Sequence, residues 1–148
     1  MMAFHFRFNS LLKQRRHRLE GAQAELAAAR HGQQQLLIRE EQALCRMAEQ
    51  QTLWEADQAR GVDVATLLCM KEYRIALERQ LQSLRTELLQ AARTVEEKKA
   101  AFIECEKAVK MLECLEEAER LSYRYLQRQR EQKELDEISI LKGFHEND

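Results

Sequence analysis

Across 148 residues the chain contains no proline, and between its two long heptad-patterned stretches the only glycine is Gly61. Proline costs a helix interior about 3 kcal/mol and glycine about 1 kcal/mol relative to alanine. A chain that excludes the first and rations the second permits very long helices. The expected fold is therefore all-α, an antiparallel two-helix coiled-coil hairpin that reverses once at Gly61.

Stepping by four and three from Phe8 gives Phe8, Leu12, Arg15, Leu19, Ala22, Leu26, Ala29, Gln33, Leu36, Glu40, Ala43, Met47, Gln50 and Trp54. Ten of these fourteen positions are apolar, against 45% for the chain as a whole. Leu37 and Leu44 form a parallel stripe one residue away, and the spacing of eleven from Leu26 to Leu37 predicts a stutter in the register. Beyond Gly61 the run Leu77, Leu81, Leu84, Leu88, Ala91, Val95, Lys98, Phe102, Cys105, Val109 and Leu112 is stricter, with ten of eleven positions apolar. A 3.5-residue period held over five heptads specifies a left-handed coiled coil.

The connection Ala59-Arg60-Gly61-Val62-Asp63-Val64 carries the punctuation of a reversal. Gly61 can take the left-handed conformation that ends a helix, and Asp63 can cap the next one through its side chain. The expected organisation is one elongated domain over 1–148, with helix one at about 4–59, a turn at 60–63, helix two at about 64–140 and a tail at 141–148. Folding about Gly61 sets the basic start (Arg7, Lys13, Arg15, Arg16, Arg18) against Glu104, Glu106 and Glu113. Opposite charges across a seam favour antiparallel pairing, although each exposed pair contributes only about 0.2–1 kcal/mol. The rival arrangement is a parallel homodimer in which Gly61 merely interrupts one long helix.

At 1.5 Å per residue the second helix spans roughly 115 Å and the first roughly 84 Å, so about 20 residues of the second outrun their partner. There the seam decays to Glu116, Glu119, Tyr123, Leu126, Arg130, Lys133 and Glu137. Apolar residues on a lone helix stay exposed unless something covers them, so Tyr123, Tyr125 and Leu126 are read as awaiting another subunit. Trp54 and Tyr73 flank the turn. They either close the seam or form a docking surface, and the off-heptad position of Tyr73 favours exposure.

Other functional classes find little support. Formal net charge is −1, so no global field attracts nucleic acid or acidic lipid, and the run from Lys13 to Arg18 reads as hairpin charge pairing. Cys45, Cys69, Cys105 and Cys114 share no metal-ligand spacing with each other or with His5, His17, His31 and His145, so they read as small apolar residues in a reducing cytosol. No cofactor or metal site is expected. No nucleophile elbow, phosphate loop or paired-carboxylate site suggests an enzyme, and no run approaches the roughly 20 apolar residues of a membrane span.

The opening Phe6-Arg7-Phe8-Asn9-Ser10-Leu11-Leu12, the tip Gly61-Val62-Asp63 followed by Glu72-Tyr73 and Leu77-Glu78, and the close Arg130-Glu131-Gln132-Lys133-Glu134-Leu135-Asp136-Glu137 resemble the bacterial flagellar export protein FliJ family. The resemblance covers most of the chain. It implies a non-enzymatic, cytoplasmic component of the type III export apparatus, peripheral to the inner membrane and similar to the central stalk of rotary ATPases. The partners it implies are the hexameric export ATPase FliI, the cytoplasmic domain of the export gate FlhA, and export chaperones. The equivalent stalk of a virulence-type secretion system is the nearest alternative. Mapped on this sequence, the end bearing Tyr123, Leu126, Glu134 and Ile140 would enter the ATPase ring. The tip with Trp54, Tyr73 and Leu77 would face the gate.

Overall fold

A computed structural model describes residues 3–146. It contains two helices, α1 over Asn9–Arg60 (52 residues) and α2 over Val64–Glu146 (83 residues). No strand occurs among the described residues. The helices pack against each other as an all-α hairpin. Helix α1 starts at Asn9 rather than near residue 4, with the Phe8 carbonyl accepting from Leu12 N at 2.9 Å and the Phe6 carbonyl from Asn9 N at 3.2 Å. Helix α2 continues six residues beyond the expected Ile140, because a single Gly143 costs helix stability without ending the hydrogen-bond ladder.

The reversal forms as the sequence implies, with one difference. Gly61 has φ 74°, and among the described residues no non-glycine has positive φ. The Gly61 amide donates to the Gln58 carbonyl at 3.4 Å. Asp63 occupies the cap position through its backbone, where its carbonyl accepts from Leu67 N at 3.1 Å. Its carboxylate makes none of the expected first-turn hydrogen bonds.

The residues divide into two compact units: one takes the chain up to Glu20 together with Ile103 onward, the other Gly21–Phe102. In the terminal unit, Phe6, Leu12 and Val109 form a buried cluster on which Phe4, Phe8, Leu19 and Leu112 pack. Residues 3–6 lie outside the helix. An extended residue covers about 3.3 Å against 1.5 Å in a helix, so this arm reaches further along α2 than another helical turn would. Arg16 pairs with Glu113 at 3.4 Å. The other expected cross-helix pairs yield to local ones, with Lys107 on Glu104 at 3.6 Å and Lys110 on Glu106 at 2.7 Å within α2.

In the turn unit, Ala43, Leu81 and Leu84 form the buried cluster, with Leu36 and Met47 packed on it. Leu26 and Leu77 are also buried. Two ion pairs cross the seam, Lys98 to Glu25 at 3.2 Å and Arg85 to Glu40 at 4.0 Å. Lys98, the one polar position in the strict stretch, lays its aliphatic stem along the seam and sends its ammonium to the edge.

Phe8, the thirteen heptad positions that follow it in α1 and all eleven of α2 are buried or half-buried. The expected stutter does not occur. Gln33 and Glu40 stay on the seam, while Leu37 and Leu44 remain exposed at 44% and 42%. A polar side chain at the edge of a two-helix seam still reaches water, so it need not force the helix to change track.

Candidate partner-binding surfaces

The structure places the candidate residues in two settings. Near the turn, Trp54 is half-buried and lines a surface groove with Lys71, Arg74, Ile75 and Glu78. Tyr73 stands outside that groove and is 45% exposed. The two aromatics flank the turn without lining one site. Leu77 is buried in the seam, so its side chain supports the helix pair from inside. Leu53, Val64, Leu68 and Ile75 are also exposed near the turn, and at 100° per residue Val64, Leu68 and Ile75 share the side of α2 opposite Tyr73. Heptad reasoning passed over them because it sorts residues by the seam and is silent on apolar residues outside it.

At the other setting, Tyr123 departs from expectation. It is half-buried, and its ring lies 5.6 Å from that of Phe4 at an interplanar angle of 48°. Gln127 Nε2 donates to its hydroxyl at 3.2 Å. Arg120, held to Glu116 at 3.0 Å, places its guanidinium 5.5 Å from the Phe4 ring centre. Phe4 on the extended arm thus supplies the cover that a helical register would have denied Tyr123. Tyr123 belongs to the packed part of the unit.

From Arg124 to Glu146 no residue is buried. Leu126, Glu134 and Ile140 all lie in this stretch and are exposed. Tyr125, Leu135, Ile138, Leu141 and Phe144 join them as large exposed apolar residues. The charges here are also mostly unpaired: Arg124, Arg128, Arg130, Glu131, Glu134 and Glu137 form no ion pair, whereas Asp136 accepts from Gln132 at 3.3 Å. A helix whose apolar and charged groups both lack partners is chemically equipped to dock on another surface.

The rest of the molecule adds little chemistry. Lys110 has its pKa raised above 10.5 because the Glu106 carboxylate accepts its hydrogen bond and attracts its charge. Among the described residues no group of three or more His, Cys, Asp or Glu side chains could hold a metal ion, and no helix is long and apolar enough to cross a membrane.

Against this geometry, the family model described as flagellar FliJ protein matches residues 4–148. The chain belongs to the FliJ family. It is accordingly a component of the flagellar export apparatus. The match includes the aromatic arm, the turn at Gly61 and the uncovered end of α2, the three features that distinguish this FliJ-family chain from a plain helix pair. Comparison with curated proteins and with solved structures gave no match.

Proposed function

We propose that this FliJ-family chain is a non-enzymatic stalk that links the export ATPase ring to the export gate and escorts export chaperones. Its uncovered α2 end engages the hexameric ATPase FliI, and its turn-side surface around Tyr73 and Trp54, held in place by Leu77, engages the cytoplasmic domain of FlhA. Peripheral association with the inner membrane follows from that second contact. The observation carrying this reading is the stretch 124–146, where Leu126, Leu135, Ile140 and Phe144 are exposed on a helix with no neighbour. Exposed apolar side chains at this density mark an interaction surface.

The test is to delete residues 128–148, which leaves Tyr123 and its Phe4 contact intact. The truncated chain should keep the helicity of its remaining residues and lose stimulation of the purified ATPase. Full stimulation would remove the α2 end from the ring contact. Separately, Tyr73→Ala should weaken binding to the gate domain, and unchanged binding would exclude Tyr73 from that surface.

A further inference from the structure

The exposed stripe of Leu37 and Leu44 has no role in the seam or in the proposed contacts. It lies beside one wall of a groove of about 420 Å³ formed by Gln33, Leu37, Glu40, Arg85, Leu88, Leu89 and Ala92. On the opposite side of α1 a second groove runs past Ala29, Gly32, Leu36 and Ala91. No heavy atom lies within 4 Å of where a Cβ on Gly32 would sit. Helix α1 therefore has open space on both flanks of its seam with α2 in this stretch.

The apolar contact in this stretch is one-sided. Between Gln33 and Met47 one edge of the seam is Gln33 and Glu40, both polar, so Leu36 and Ala43 alone supply the apolar contact in this stretch. One residue further along, Leu37 and Leu44 offer two leucines in place of a leucine and an alanine. With 100° between successive residues, positions three and four beyond the shared edge lie at about −60° and +40°, so the two possible faces differ by a roll of roughly 50°. Helix α2 presents a single strict track, and its Leu88, Leu89 and Ala92 line the same groove as Leu37.

We propose that α1 has two packing registers in this unit, and that a roll of about 50° exchanges Leu36 and Ala43 for Leu37 and Leu44 against α2. Leu26 and Met47 on either side hold the observed register as the major state. The roll turns Trp54 and Leu53 relative to α2, which makes the turn-side surface of α1 responsive to whatever biases the register. The inference rests on packing within Gly21–Phe102 and does not depend on the partner assignments above.

The decisive experiment is thiol labelling of the full chain carrying Ala43→Cys, with Cys45, Cys69, Cys105 and Cys114 replaced by Ser. Ala43 is 1% exposed, so in a one-register helix its thiol reacts only through global unfolding. Two registers, with a minor state of about 1%, predict labelling at least about tenfold faster than the measured unfolding equilibrium allows. Adding Leu37→Gln and Leu44→Gln should slow that labelling by about tenfold and leave Trp54, the only tryptophan, with unchanged fluorescence. If Ala43→Cys disturbs the fold, Leu36→Cys is compared only with its own Leu37→Gln, Leu44→Gln variant, because Leu36 is half-buried and its thiol is not confined to global unfolding; a rate indifferent to those two changes again counts against the second register. Labelling at the global unfolding limit, or a rate indifferent to Leu37→Gln and Leu44→Gln, would overturn the proposal.

Discussion

Leu12→Ala tests whether the terminal unit depends on the cluster that the aromatic arm completes. Leu12 is 1% exposed and sits with Phe6 and Val109. The substitution removes three carbons, worth about 0.8 kcal/mol each in transfer, or about 2.4 kcal/mol. A residual cavity adds up to about 1 kcal/mol, since a two-helix seam is open at its sides and can partly collapse. The expected loss is therefore about 3 kcal/mol. With a urea dependence on the order of 1.5 kcal/mol per molar, the midpoint followed by far-UV circular dichroism should fall by about 2 M. The control is Leu126→Ala, the same chemical change at a residue 53% exposed. It should cost less than about 0.5 kcal/mol, because alanine is also the better helix former. A Leu12→Ala loss below about 1 kcal/mol would refute the cluster as the unit's anchor. A Leu126→Ala cost equal to that of Leu12→Ala would mean that a second chain covers the α2 end, reviving the homodimer.

Three further outcomes follow from the backbone and the seam charges. Gly21→Ala and Gly32→Ala should each stabilise the chain by about 0.5–1 kcal/mol in thermal melts, because an added Cβ meets no heavy atom within 4 Å and the helix gains alanine's propensity. Gly61→Ala should destabilise by about 1–2 kcal/mol although the space around it is equally open, because its φ of 74° is strained for any L side chain. Lys98→Glu should cost about 0.5 kcal/mol by setting two carboxylates across the seam, and adding Glu25→Lys should restore most of it, with both effects shrinking at high salt.

The parts of the fold legible in the sequence are those set by period. A 3.5-residue repeat fixes which face of each helix meets the other, and every seam position read from it is covered, including the polar Arg15, Gln33, Glu40 and Lys98. Leu37 and Leu44 imitate a change of track that the fold does not make, since a two-helix seam tolerates Gln33 and Glu40 at its edge. Asp63 differs from its sequence expectation more narrowly. It occupies the expected cap position, but a cap needs the carbonyl in place before it needs the side chain.

The candidate surfaces were legible by subtraction, as apolar residues left over when the partner helix ends, and that subtraction depends on knowing where cover stops. Counting in helical turns from Gly61 put the limit before Tyr123. Residues 3–6 instead run outside the helix, gaining roughly twice the reach per residue, so Phe4 lies on Tyr123 and Arg120. The alternation Phe4-His5-Phe6-Arg7-Phe8 held that signal, since a period of two is the mark of an extended segment with one apolar face. The arm therefore decides how much of α2 is left bare: Phe4 lies on Tyr123, and from Tyr125 onward every large apolar side chain of the described helix is exposed.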